Sequence, residues 1–359
     1  MGLFDFITGG KKSVVGLDIG SSAVKAVELK GSRGNYELVS IGHVTLLSDT
    51  IVDGHIIDLN HVSDAINRIF QEQGIKTNLV GTSVSGHSVI VKKINMPVMS
   101  QEELAEKITW EAEEYIPFSL EEVNLSYEIA GIDASGTGMD VLLVACKKEK
   151  IAQYTQVINQ AGKQLHFVDV DSFAVQAAYE LNYDPMPTTT VALLNIGASV
   201  MNINVVRGTT SVFTRDISVG GNQYTDLLQK ELNLTFEEAE SLKRGLPTES
   251  GVRPEDVQQL IKSVSEILAL EVQKTLDFFR GASSSMADVS KVDRMLISGG
   301  SSKVPGLTGY MAERFGVPVD RFDSFRKIKY NTKKFDEDYI RELSPNMAVA
   351  VGLALRSGG

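Results

Sequence analysis

Cysteine is nearly absent from the 359-residue chain: Cys146 stands alone, so no internal disulfide can form and a reducing compartment is expected. It lies in the apolar run 141–146, which points to a buried strand position and away from redox or metal chemistry. Histidine is scarce as well. His43, His55, His61, His87 and His166 show no metal-ligand spacing. No run of about twenty apolar residues occurs, which excludes a membrane-spanning helix and favours a cytoplasmic location. Basic charge is in deficit, with a formal net charge of -11, which argues against general nucleic-acid binding and leaves room for a local basic patch. The G-x-x-x-x-G-K-[ST] phosphate loop is missing, as are a G-x-G-x-x-G after a strand and a G-x-S-x-G elbow around Ser83 or Ser85. The opening Met1-Gly2-Leu3-Phe4-Asp5-Phe6-Ile7 is apolar, but Thr8-Gly9-Gly10-Lys11-Lys12 follows where a signal peptide would continue its apolar core. This arm either folds loosely against the body or dips into a membrane surface beside its lysines.

What is present is a duplicated strand-turn-strand. In Val14 to Leu29 two apolar runs flank Asp18-Ile19-Gly20-Ser21-Ser22; in Val191 to Gly208 two more flank Asn195-Ile196-Gly197-Ala198-Ser199. Aligned without gaps, Leu17 meets Leu194, Ile19 meets Ile196, Gly20 meets Gly197, Ser22 meets Ser199 and Gly31 meets Gly208. Small residues in such a turn expose backbone N–H groups and hydroxyls that can cup an anion. Two copies suggest two halves across a cleft, gripping a polyphosphate from both sides, with Asp18 and Asn195 aimed at its Mg²⁺ through water. Two unrelated hairpins whose glycines merely turn the chain are the plainer alternative. At 359 residues with 43% hydrophobic content the chain suits two domains, each with its own core.

Along the chain, residues 36–45 predict a third strand, and Asp58 or Asn60 caps a helix with Val62, Ala65, Ile66, Ile69 and Phe70 on one face. Residues 79–94 read as one or two strands. A capping box, Ser100-Gln101-Glu102-Glu103, opens a helix with Leu104, Ile108, Ala112 and Tyr115 on one face. Trp110 falls on its polar side, either half exposed for a partner or covering the seam with the next subdomain. Strands 125–129 and 141–146 and helix 151–161 follow. Strand 164–170 delivers Asp169 and Asp171 to a helix at 173–181, with Asp171 also a candidate N-cap. Beyond the second copy, strand 212–219 ends at Gly220-Gly221, Thr235 to Glu238 forms another capping box, and Pro254 opens a long helix that stops at Gly281. A serine-rich link at 283–290 leads to strand 294–297 and Gly299-Gly300-Ser301, and a small-residue helix occupies 346–355. The basic aromatic run 321–330 reads as a solvated loop, with contact to lipid or an acidic partner as the alternative.

These small-residue sites at strand ends resemble the actin-like ATPase superfamily. Asp18 to Ser22 matches its first phosphate motif, Asn195 to Ser199 its second, and Ile297 to Val304 its adenosine motif. Within it the sequence looks most like the PilM family of type IV pilus assembly, through the short arm before Val14 to Ser22, Trp110 to Phe118, Val168 to Ala174 and Ala350 to Arg356. FtsA shares an inserted subdomain and the pattern Gly220-Gly221 followed by Glu237 to Lys243, but ends in an amphipathic membrane helix where this sequence has Ser357-Gly358-Gly359, which tips the expectation to PilM.

The resemblance implies an α/β actin-like ATPase fold: two lobes with duplicated RNase H-like cores around a nucleotide cleft, plus an FtsA-type inserted subdomain. The first lobe would take 1–86 with 166–188 and 338–359 returning to it, the insertion 87–165, and the second lobe 189–337 with a helical part at about 222–290. ATP and Mg²⁺ are the implied cofactors. Gly20, Ser21, Ser22 and Lys25 would hold phosphates, with Gly197, Ala198 and Ser199 opposite and Gly220-Gly221 nearby. Glu240 and Lys243 would flank adenine and ribose, and Gly299, Gly300 and Ser301 would let the nucleotide lie close to the backbone. Asn195 stands where the second motif usually has Asp and cannot act as a base, so slow or absent hydrolysis is expected, with Asp169 and Asp171 the acidic candidates. The implied partner is the cytoplasmic N-terminal tail of a PilN-like inner-membrane protein, seated near 80–95 and 160–170, and through it the platform and assembly motor at the inner-membrane face. An FtsA-like filament former and a small-molecule kinase are the alternatives.

Overall fold

The computed structural model describes residues 13–32, 34–132, 136–282 and 291–356. The arm at 1–12, the serine-rich link at 283–290 and the final Ser357-Gly358-Gly359 lie outside them.

The chain opens with an antiparallel meander of β1 (Val15–Ile19), β2 (Ala23–Ser32) and β3 (Asn35–Thr45), a small hairpin of β4 (Ile51–Val52) and β5 (His55–Ile56), and α1 (Leu59–Glu72). Asp58 caps α1 by accepting from the His61 N–H, and the apolar positions expected on its face are buried. Residues 79–97 form two strands, β6 (Leu79–Val84) and β7 (Val89–Pro97), broken at Gly86, whose φ of +85° suits glycine. Then come α2 (Gln101–Tyr115), β8 (Val123–Ile132), β9 (Gly138–Lys147), α3 (Lys148–Gln160), β10 (Gln164–Val170) and α4 (Asp171–Tyr183). The second half has β11 (Thr190–Ile196), β12 (Met201–Arg207), β13 (Thr210–Ile217), α5 (Asn222–Leu232), α6 (Phe236–Lys243) and α7 (Pro254–Ala282). It ends with β14 (Arg294–Ser298), α8 (Leu307–Phe315), β15 (Val319–Arg321), α9 (Glu337–Leu343) and α10 (Ala348–Arg356).

Two five-stranded sheets have the same architecture, β3-β2-β1-β6-β10 and β13-β12-β11-β14-β15. In each, three antiparallel strands are followed by two parallel ones. The hairpins share register: Asp18 faces Lys25 as Asn195 faces Asn202, and Ile19 faces Val24 as Ile196 faces Met201. A third sheet, β7-β9-β8, carries α2 on one face over its own core of Ile94, Leu104, Ile108 and Val141. Helix α3 follows this insertion, yet Tyr154, Val157 and Ile158 pack with Leu17 and Ile19 in the core of the first lobe.

Helices α4 and α10 pack against each other between the sheets, α10 on β1 and α4 on β11 and β12. The small residues of α10 are what permit this. A β-carbon at Gly352 would lie 1.7 Å from the Ala174 carbonyl oxygen, and one at Gly16 of β1 would lie 2.1 Å from that of Ala350. The run 321–330, expected as a solvated loop, is instead a strap. Phe322, Phe325 and Ile328 are buried in the core it shares with α4 and α10. Its backbone joins the lobes, Phe322 N donating to Ile297 O at 2.8 Å on β14 and Leu38 N of β3 donating to Lys329 O at 2.8 Å. The alternation of basic and apolar residues was the signal for an anchored segment with its charges outside. Trp110 lies 76% exposed on α2 and covers no seam.

Candidate functional site

Both turns close with the same bond, Gly20 N to Ala23 O at 3.0 Å and Gly197 N to Val200 O at 2.9 Å. They face each other: Ser199 Oγ donates to Ser21 Oγ at 2.9 Å across the cleft. Ser22 sits exposed beside them, its carbonyl accepting from Leu46 N. Asp18 is buried at the base of the first turn and holds Lys25 Nζ at 2.7 Å. His43, opposite Lys25 on β3, is pushed down to about 4, first by burial and then by the charges of Lys25 and Lys303, so it stays neutral. The charges of Lys25 from the first lobe and Lys303 from the second thus meet at His43.

The second turn is braced from behind. Its Gly197 carbonyl accepts from Gly221 N at 2.9 Å and from Ser301 Oγ at 3.0 Å, and its Ala198 carbonyl from Asn222 N at 2.8 Å. These contacts leave no room for side chains: a β-carbon at Gly220 would lie 2.5 Å from the Ala198 oxygen, and one at Gly221 2.5 Å from Ser301 Oγ. Gly299 has φ +83° and donates to Pro345 O at 2.8 Å, and Gly300 begins the short 3₁₀ turn that presents Ser301. Lys243 is buried beneath Gly221; it donates to Thr225 Oγ1 at 3.0 Å and pairs with Glu240. Burial lowers its pKa and the Glu240 carboxylate opposes that shift.

The two acidic candidates part company. Asp169 is clamped by Arg356, whose Nε donates to its Oδ2 at 2.9 Å, and it accepts from Val170 N, so its oxygens are engaged away from the turns. Asp171 is the first residue of α4, not its N-cap; Val170 takes that place without a side-chain bond. The half-buried Asp171 carboxyl is raised to about 6, by burial first and then by the charge of Asp18, while the Ser83 and Ser85 hydroxyls beside it pull the other way. Asp216 adds to the rise from β13.

Sequence reasoning missed Asn202, Asp216, Ser83 and Ser85. Asn202 was detectable: it is one of two amides, with Asn204, buried among the apolar residues of β12, and it stands in register with Lys25 of the first copy. Asp216, on an edge strand, looks like any solvated acid.

These residues fit a bound nucleotide. The turns offer backbone donors, and of the four buried side-chain atoms without a hydrogen-bond partner among the described residues, Gln223 Oε1 lies just past Gly221 and Asn346 Oδ1 just past Pro345, the other two being Ser83 Oγ and Ser172 Oγ. For a cation the fit is through water, since no group of three acidic, histidine or cysteine side chains among the described residues could hold one directly.

Two lobes of identical strand order, opposed glycine turns and paired helices between them define the actin-like ATPase fold. The ethanolamine utilization protein EutJ of Carboxydothermus hydrogenoformans shares it, at 14% identity and a TM-score of 0.55 over 97% of this chain and 90% of that one. The family model described as type IV pilus assembly protein PilM matches residues 16–358, and the chain belongs to that family. A solved PilM-PilN type IV pilus biogenesis complex is similar at 26% identity and a TM-score of 0.86, covering 98% of this chain and 100% of its counterpart. Cell division protein FtsA of Streptococcus pneumoniae is 22% identical over 345 residues, 85% of this chain and 74% of that protein.

Proposed function

We propose that the chain is an ATP-binding component of type IV pilus assembly that also holds the cytoplasmic tail of a PilN-like inner-membrane protein, and so connects the membrane platform to the assembly motor. The observation that carries the nucleotide half is the Ser199 to Ser21 contact of 2.9 Å, which sets two turns of equal register on one point. Gly20 to Ser22 and Gly197 to Ser199 would grip the phosphates with backbone N–H groups, and Lys25 would add charge. Gly299 to Ser301 would border the nucleoside, near Glu240 and Lys243. Asp18 and Asn195 would orient water on Mg²⁺, whose charge, when it is bound, offsets that of the phosphates.

The tail half is supported by the similar PilM-PilN complex and by a groove of about 830 Å³ between β7 and β13. Both are edge strands of their sheets, so each has a free row of backbone groups for an extended peptide. His87, Val91, Lys92, Phe213, Arg215 and Phe278 line it. Among the described residues no helix is long and apolar enough to cross a membrane, and the tail would supply the membrane connection.

Turnover would be slow. Asn195 cannot accept a proton, Asp169 is held by Arg356, and Asp171 is the remaining base. The test mixes purified protein with Mg-ATP and a synthetic tail of the PilN-like protein from the same genome, and measures binding of each together with phosphate release. Both should bind, with little phosphate released. Polymers on lipid vesicles would transfer the reading to an FtsA-like filament former, and phosphate transfer to a small molecule would transfer it to a kinase.

A further inference from the structure

A line of hydrogen bonds crosses the second sheet from the nucleotide side to the rim of the groove. Ser298 Oγ donates to Asn195 Oδ1 at 3.2 Å, Asn195 Nδ2 to Asn202 Oδ1 at 2.8 Å, and Asn202 Nδ2 to Asp216 Oδ1 at 2.8 Å. Asp216 Oδ2 then accepts from the backbone N–H of Gly86 at 2.7 Å, in the turn between β6 and β7. The line starts in the second lobe and ends in the first. Its direction is forced: an ionised carboxylate only accepts, so Asn202 must turn its NH₂ to Asp216 and its carbonyl to Asn195, and Asn195 must then turn its carbonyl to Ser298. The Ser298 hydroxyl also lies 3.5 Å from the Leu194 carbonyl oxygen, to which it can donate while accepting in turn, so it is the carboxylate at 216 that sets the polarity of the line.

Both ends touch functional ground. Asn195 lies two residues before Gly197 on the strand that carries the second turn, and Val200 of that turn abuts Gly86, 4.0 Å from where its β-carbon would be. At the far end Gly86 and His87 line the groove, and His87 Nε2 bonds Ser218 Oγ at 2.7 Å beside the same strand end. A change in lobe closure must either carry Gly86 along with Asp216 or break a charge-assisted bond.

We propose that Asn195, Asn202 and Asp216 form a relay that transmits nucleotide occupancy of the cleft to the β6–β7 turn at the rim of the groove. This rests on the proposed nucleotide site and deepens it. An anion gripped by the backbone of Gly197 to Ser199 fixes the end of β11, hence the Asn195 carboxamide, hence Asn202, Asp216 and the Gly86 N–H. The coupling is reciprocal, so a ligand that orders the rim tightens nucleotide binding by the same factor. It also gives a reason for an amide at 195. Aspartate there has no N–H for Asn202, and if Asn202 flipped to donate to it, its carbonyl would face the Asp216 carboxylate.

The polarity argument supplies the test. Asn195→Asp and Asn202→Leu should each break the line, whereas Asp216→Asn alone would let it reverse, with Ser298 accepting from Asn195 and donating to the Leu194 carbonyl. Asn195→Asp combined with Asp216→Asn restores it reversed, with Asn202 donating to residue 195 and accepting from residue 216, whose carbonyl keeps the Gly86 N–H, at unchanged net charge. The readout is backbone hydrogen exchange of the segment 84–90, with and without Mg-AMPPNP at saturation of each variant, saturation being fixed by direct titration. Nucleotide should slow exchange there about tenfold in the unmodified protein, have little effect in Asn195→Asp or Asn202→Leu, and regain its effect in the double variant. Circular dichroism verifies folding, and Asn202→Leu decides the matter if Asn195→Asp does not fold. Protection that survives Asn202→Leu, or a folded double variant no better than Asn195→Asp, overturns the relay while leaving the nucleotide site standing. Absence of nucleotide uptake in the titration overturns the site, and the relay with it.

Discussion

The two hairpins have one backbone and two chemistries. In the first, Asp18 and Lys25 make a self-contained ion pair at 2.7 Å; in the second, Asn195 and Asn202 occupy the same register at 2.8 Å and pass the interaction on to Asp216. The contrast extends along the neighbouring strands. Counted three residues past the equivalent edge-strand positions Val168 and Arg321, Asp171 falls at the start of α4 and Ser324 in the strap, where it is buried and bonded to the Ser344 carbonyl at 2.6 Å. Beneath the turns, Gly16 of β1 corresponds to Leu193 of β11, and only the glycine lets α10 touch the sheet backbone. The two hairpins thus share their hydrogen-bond geometry, while the first carries an acid at 18 where the second carries an amide at 195. In the first hairpin the charge is neutralised within the pair, and in the second the amides lead to a carboxylate two strands away.

Making the first copy more like the second at its base should have the largest effect. Gly16→Leu places a side chain where a β-carbon already lies 2.1 Å from the Ala350 oxygen and 2.6 Å from Ala354 N. Both are helix backbone and cannot step aside. Urea unfolding should show a loss of about 3 kcal/mol or more for Gly16→Leu, while Leu193→Val, which trims one methylene at the matching buried position, should lose about 1 kcal/mol. Equal losses from the two would mean that α10 does not owe its closeness to glycine.

Much of this was legible in the sequence, because a repeated turn with small residues is a local pattern. The strand-turn-strand copies, both capping boxes and the small-residue helix depend on neighbours a few positions apart, and each lies where the spacing indicated. The strap at 321–330 depended on what it packs against, and charge counting hid its buried Phe322, Phe325 and Ile328. The relay was out of reach for the same reason. Asn202 and Asp216 matter through partners that lie 14 positions apart in the chain, and Gly86 lies 130 positions from Asp216.

A middle-sized effect should follow from exchanging the polar pair. Lys25→Asn gives the first hairpin the amide of the second. Asp18, buried on its strand, keeps a donor but loses its counter-charge, at a cost of about 1.5 kcal/mol in stability. Since Lys25 also supplies charge to the first turn, ATP affinity should fall by about tenfold, read by titration. Unchanged affinity would show that Lys25 serves only Asp18.

The smallest effect sharpens the contrast at Asp171. Its folded-state pKa of about 6 lies above the ordinary 3.8, so between those values the folded protein holds a proton that the unfolded chain has released. Stability attributable to this group therefore falls as pH rises through that window, and above it the folded state carries an ionised carboxylate pressed by burial and by Asp18. Asp171→Asn removes the ionisation. The variant should be more stable than the unmodified protein by about 1 kcal/mol near pH 7, a value reduced from the full shift because the side chain keeps some contact with water. The gain should vanish near pH 4, where both carry a neutral group. Urea unfolding at the two pH values reads it directly. A carboxylate retained at a site where its amide is more stable is kept for what it does in the cleft; were the amide variant instead less stable near pH 7, Asp171 would be a structural acceptor for Ser83 and Ser85, and the first lobe would have no free base to set against Ser324 of the second.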